Sequence, residues 1–182
     1  MSIRKVKWTV LAVGEGDSEV ALLEHLKAIY FSRSCGSTIK IMQAYGKGAG
    51  NVVRHAIAYA ADHGYDRSAV LFDTDTDYTP EVIQLAQMHR LITLPAEPCL
   101  EGWMLRLHGD NRSRTSDQHK TEFARRFGGR VQDADVLATH FGLRSIEQAR
   151  NSEPVLHRLI NTFGIPRRIA RSKCMEPSPK QT

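Results

Sequence analysis

Trp8-Thr9-Val10-Leu11-Ala12-Val13-Gly14-Glu15-Gly16 and Ser68-Ala69-Val70-Leu71-Phe72-Asp73-Thr74-Asp75-Thr76-Asp77 are the stretches whose reading decides the fold. Each is a short, mostly apolar run that soon gives way to an acid. Such a run is too short for a helix and too uniformly apolar for a half-exposed strand, so it reads as a strand covered on both faces. Working outward from Trp8–Val13, Asp17 or Ser18 can cap a helix with Leu22, Leu26 and Ile29 on one face. Thr38–Met42 is a second strand. Gly46–Gly50 follows as a loop, and Asn51 can cap a helix packed through Val53, Ile57 and Ala60. Ser68–Phe72 is the third strand, Pro80 suits the first turn of another helix, and Leu91–Leu94 is the fourth strand. Alternation of strand and helix predicts an α/β fold: a mostly parallel sheet of about four strands with helices on both faces.

Beyond Pro98 the pattern turns helical. Leu100–Leu107, Asp133–Phe141 and Pro154–Phe163 are helix candidates, and 110–130 is a polar, basic, glycine-punctuated insertion. Residues 173–182, rich in Pro, Ser and Lys, read as a disordered tail after one domain over 1–172. The chain has 182 residues, 41% of them apolar, with a net charge of +5 and a pI near 9.3. That charge suits a polyanionic partner, and equally a solvated basic surface. Cys35, Cys99 and Cys174 form no CxxC pair, and the eight histidines show no zinc spacing, which argues against a secreted disulfide scaffold and a zinc site. No segment is long and apolar enough to span a bilayer, so the expected location is the cytoplasm, without a membrane partner.

Chemistry is expected where the acids fall. In open parallel sheets ligands bind beyond the C-terminal ends of the strands. Glu15 and Asp73 both stand there, and Asp73, Asp75 and Asp77 alternate, so an extended chain would project them to one side. Two carboxylates about 4 Å apart repel by roughly 4 kcal/mol at an effective dielectric near 20, a burden relieved by a cation or by protonation. Mg²⁺, or Mn²⁺ in its place, is the expected cofactor, because it takes hard oxygen ligands and keeps waters that a phosphate can replace. The competing reading of Asp73–Asp77 is a solvated turn.

An acid after the first strand (Val13-Gly14-Glu15-Gly16) and a DxD after the third (Asp73-Thr74-Asp75) resemble the Toprim domain of topoisomerases, primases and related nucleases. Ala96-Glu97-Pro98-Cys99-Leu100-Glu101-Gly102-Trp103-Met104-Leu105-Arg106-Leu107-His108 further resembles a block of RloB-like proteins, Toprim-fold proteins found beside restriction and phage-abortive systems. Ser152-Glu153-Pro154-Val155 resembles a late helix start of the same family. The resemblance implies a Mg²⁺-dependent nuclease acting on DNA or RNA, with Glu15 as general acid/base, Asp73 and Asp75 as metal ligands, and Glu101 or Asp77 completing the shell. It departs from the family pattern at Glu15-Gly16-Asp17-Ser18-Glu19, which is one residue short, and at Leu100 and Gly102.

Lys47, Arg112, Arg114, Lys120, Arg125 and Arg126 are the candidate nucleic-acid contacts. A second cluster comprises Arg167, Arg168, Arg171 and Lys173. Trp8 and Trp103 are expected in the core, Cys99 buried, and His108 in a structural role. Two rival functions remain: a non-catalytic component of a defence locus that binds nucleic acid or a partner protein, and a phosphatase, since Asp73-Thr74-Asp75-Thr76 after an apolar strand resembles the DxDxT of haloacid-dehalogenase-type phosphatases, in which the first Asp is the nucleophile.

Overall fold

The computed structural model describes residues 8–31, 37–75 and 77–164. Its four strands are β1 (Trp8–Gly14), β2 (Ser37–Gln43), β3 (Arg67–Asp73) and β4 (Ile92–Ala96). They pair in the order β2-β1-β3-β4, and every pairing is parallel. Helices α1 (Asp17–Tyr30), α2 (Gly48–His63) and α3 (Pro80–Met88) alternate with the strands, followed by α4 (Leu100–Leu107), α5 (Ser116–Phe127), α6 (Ala134–His140), α7 (Leu143–Arg150) and α8 (Pro154–Thr162). The α/β fold with a four-stranded parallel sheet is therefore as expected, and it is consistent with a Toprim-like arrangement.

The period of two along each strand divides the core in two. Val10, Ala12, Ala69, Leu71, Leu94 and Ala96 face one way, against α1 and the later helices, around the fully buried Trp103. Leu11, Val13, Val70 and Phe72 face the other way, against α2 and α3. Both faces are covered, which is why the strands read as unbroken apolar runs.

Several local readings are corrected. Helix α2 begins at Gly48 with Lys47 as its N-cap, not at Asn51, whose Nδ2 instead donates to the carbonyls of Ala44 (2.9 Å) and Gly46 (2.8 Å). Gly16, not Asp17 or Ser18, is the N-cap of α1. The 110–130 stretch contains α5, which sinks Phe123 and Phe127 into the core beside Phe141. It is a docked helix and not a loose insertion. Gly102 explains the docking: a Cβ there would lie 3.0 Å from the His119 ring and 3.1 Å from Pro98, so glycine lets α5 close onto α4. Helix α7 was not foreseen. Trp8 is only half-buried, with the Arg67 guanidinium 4.4 Å above its ring. No described helix is long and apolar enough to cross a membrane. Cys35, Cys174, the basic cluster at 167–173 and the 173–182 tail lie outside the described residues.

Candidate functional site

β1 and β3 are neighbours in register, with Gly14 opposite Leu71, so the acids that follow them emerge at the same edge. Glu15 is fixed there by the backbone. Its N–H donates to Leu71 O (3.0 Å), and its carbonyl accepts from Gly46 N (2.8 Å). Its carboxylate accepts from Gly48 N at Oε1 (3.0 Å) and from Asp73 N at Oε2 (3.3 Å). The Glu15 carboxylate thus reaches the backbone of Asp73 at the sheet edge.

Asp73 Oδ1 accepts from Leu100 N (2.8 Å), in the first turn of α4. A helix N-terminus favours a carboxylate. Burial nevertheless dominates, and with the charges of Glu19, Glu101 and Asp75 it raises the Asp73 pKa to about 8. Glu19 behaves likewise. Only 6% exposed, it accepts from Gly16 N (2.8 Å), and burial, aided by Glu15 and Glu101, raises its pKa to about 7. Glu101, in the first turn of α4, contributes to both shifts. These acids form one electrostatic unit.

Sequence reasoning placed Glu19 in the motif without giving it a role. Its signal is the spacing: three residues after Gly16, it starts α1 facing back toward the strand end. Gly14 belongs to the same arrangement, since a Cβ there would lie 2.8 Å from Glu19 Cβ.

The alternation of Asp73, Asp75 and Asp77 does not persist, because the chain bends on leaving β3. Thr74 N and Asp75 N both donate to Pro98 O (3.1 Å each). Asp75 is exposed and accepts from Ser116 Oγ (2.5 Å), in the first turn of α5. Asp77 turns to α2 instead, where its Oδ2 accepts from Gly50 N (3.2 Å). The Gly46–Gly50 loop therefore spends the N–H groups of Gly48 and Gly50 on the chain's own acids. Lys47 sits exposed in the left-handed region (φ 72°).

Among the basic candidates, Lys120 is the one electrostatically linked to the acids. Desolvation lowers its pKa, but the charges of Glu101, Cys99 and Asp73 outweigh that and leave it raised. Arg112 and Arg114 converge on buried Asp110 (2.8 and 3.1 Å), and Arg126 stands 3.8 Å from the same carboxylate. Arg112 and Arg114 hold Asp110 far below the usual carboxylate range. Arg125 pairs with Glu122 (2.7 Å). Cys99 is buried, and its thiol is pushed up to about 11 by that burial, with Glu101 and Asp73 adding. His108 packs edge-on against Phe127 and Phe141.

No family model, curated protein or solved structure matches this chain.

Among the described residues, no three His, Cys, Asp or Glu side chains stand together as a ready-made metal cluster. The donor chemistry still suits a hard divalent cation: carboxylate oxygens only, two of them on groups whose pKa is raised by burial and, to a lesser degree, by neighbouring negative charge. The geometry does not unite Asp77 with Asp73 and Asp75.

Proposed function

We propose that the chain is a Toprim-type, RloB-like protein that cleaves phosphodiester bonds in DNA or RNA with Mg²⁺ or Mn²⁺, as part of a phage-defence or restriction-associated locus. One observation carries this reading: Glu15, Glu19, Asp73 and Glu101 interact electrostatically at the C-terminal edge of β1 and β3, where burial, reinforced by their mutual repulsion, raises the pKa of Asp73 to about 8 and that of Glu19 to about 7. A fold keeps such a cluster only for a gain elsewhere.

Asp73, Glu19 and Glu101 would hold the ion, with Asp75 joining from the exposed side. A divalent cation there would supply charge stabilisation at the scissile phosphate. Glu15, held by two amide N–H groups, is the acid/base candidate at the same edge. Lys120 supplies a positive charge beside the carboxylates, suited to the non-bridging oxygens of the phosphate. Asp77 is better read as a cap of α2.

The test is a nuclease assay on wild type, Glu15→Ala and Asp73→Ala, with single- and double-stranded DNA and RNA. Cleavage by wild type in Mg²⁺ or Mn²⁺, lost in both variants, supports the proposal. Equal cleavage by all three, or none by any, sinks it.

A second reading, binding of nucleic acid or a partner protein without cleavage, draws on the lack of a ready-made ligand cluster among the described residues. It expects binding that survives loss of the acids and needs no metal. The phosphatase reading gains little. Asp133 and Asp135, the acids such an enzyme would need after a later strand, sit at the start of α6 instead.

A further inference from the structure

The opposite end of the sheet carries a cavity of about 670 Å³ lined by Arg67, Arg150, Asn161, His157, Arg158 and the first turn of α8. Arg67 opens β3 and Ile92, also in the wall, opens β4. Asp73 closes β3, so at about 3.3 Å per residue the cavity lies roughly 20 Å from the acidic edge. One phosphate cannot serve both.

Each guanidinium is anchored, but two of the three keep their charge. Arg150, only 2% exposed, donates to Glu147 Oε1 (3.1 Å) and Asn161 Oδ1 (2.8 Å), so a carboxylate meets its charge. Arg67 gives one terminal nitrogen to the carbonyls of Asn161 (2.9 Å) and Thr162 (3.4 Å) and lies over Trp8. Asp66, its neighbour in the chain, turns its carboxylate to Thr9 N (2.7 Å) and Oγ1 (2.8 Å). Arg158 gives one terminal nitrogen to Thr93 O (3.1 Å). A guanidinium has five N–H donors. Among the described residues, therefore, Arg67 and Arg158 each retain donors and neither is paired with an acid. Glu153 is the one carboxylate in the wall, and it stands at the N-cap of α8, where the helix dipole offsets it.

We propose that this cavity binds an organic phosphate carrying at least two negative charges, with Arg67 and Arg158 gripping the phosphate. Two fixed cations at one cavity match a phosphate dianion better than a single carboxylate. Guanidinium forks also fit phosphate oxygens in pairs. The volume exceeds what a bare ion fills and lies in the range of small-molecule sites. The site is independent of the acidic edge and of whether that edge cleaves anything.

Titration calorimetry of the full chain with ADP, in EDTA, tests this without engaging the carboxylate cluster. ADP is expected to bind at one saturable site and adenosine not to bind. Arg158→Glu should weaken ADP by at least about tenfold, the worth of one charged hydrogen-bonded contact. Asp73→Asn should leave ADP binding unchanged. Arg158 is exposed, so its variant is expected to keep the wild-type circular dichroism spectrum; Arg158→Gln is a second variant should Glu perturb the fold. Absence of saturable binding by wild type overturns the proposal, as does wild-type affinity in both Arg158 variants. Displacement of ADP by an oligonucleotide without terminal phosphates would assign the cavity to a nucleic-acid backbone and overturn it equally.

Discussion

In the absence of divalent cations, raising the pH from about 4.5 to about 8.5 should destabilise this protein through Glu19 and Asp73, and replacing Glu19 with Gln should remove much of that effect. Both carboxyls have folded-state pKa values above their ordinary ones: Glu19 rises from 4.5 to about 7 and Asp73 from 3.8 to about 8. The fold binds these protons more tightly than the unfolded chain does. Their stabilising contribution is fully present below the unfolded values and is lost as the pH climbs through the folded ones. At about 1.4 kcal/mol per pKa unit, ionising Glu19 inside the fold costs about 3 kcal/mol. Asp73 adds less than its own shift suggests, because it is only partly buried and because the Glu19 charge is one cause of that shift. Together they cost on the order of 5 kcal/mol, comparable to the whole stability of many domains.

Urea unfolding in EDTA across that range reads this out. The midpoint should fall by about 1 M or more at a slope near 3 kcal/mol per M. Glu19→Gln keeps an oxygen for the Gly16 N–H and removes the charge, so the gap between variant and wild type should widen by about 3 kcal/mol in the variant's favour as pH rises. Millimolar Mg²⁺ should recover most of the wild-type loss near pH 8 and little of the variant's. Parallel wild-type and variant profiles would refute the electrostatic reasoning. So would a wild-type midpoint that climbs with pH.

Asp77→Ala should cost about 1 kcal/mol, as loss of a helix cap does, and leave Mn²⁺ binding unchanged by calorimetry, whereas Asp73→Ala should abolish that binding. Gly14→Ala should destabilise by about 1–3 kcal/mol in the same urea assay, because its methyl would meet Glu19 Cβ at 2.8 Å and Val20 N at 2.9 Å. Lys120→Met should reduce cleavage by roughly 100-fold with little change in the urea midpoint, since the side chain is exposed and its loss removes charge from the site and not from the core.

The sheet was legible because strands covered on both faces must be apolar throughout, and Val10–Val13 and Ala69–Phe72 have no other reading in so short a run. Glu15 and Asp73 were legible for the same reason: the acid that ends such a run has one edge at which to emerge. What failed was whatever depended on the path after the strand. Asp77 reads as a partner of Asp73 only if the chain stays extended, and the bonds from Thr74 and Asp75 to Pro98 O bend it away. Helix α7 was hidden because its buried face includes Arg150, a residue that looks solvent-facing in sequence. The docking of α5 was hidden too. Its mean character is polar and basic, and only Phe123, Phe127 and the opposing Gly102 betray a packed face.

The loop at Gly46–Gly50 constrains how a phosphodiester could be held. A glycine-rich turn opening a helix would ordinarily offer its N–H groups to phosphate oxygens. Here Gly48 N belongs to Glu15 and Gly50 N to Asp77, so the positive end of α2 stabilises the chain's own acids. With Gly48 N and Gly50 N so engaged, and with Arg112 and Arg125 turned toward Asp110 and Glu122, positive charge for a substrate at this edge would fall to a metal, if the carboxylates hold one, and to Lys120 and Lys47. Few phosphate contacts imply a shallow dependence of nucleic-acid affinity on salt, because the slope counts released counterions. Affinity at this edge should therefore respond strongly to chelation and weakly to ionic strength. A steep salt slope that EDTA leaves unaltered would instead locate the binding on the arginine-bearing surface and favour the reading without cleavage.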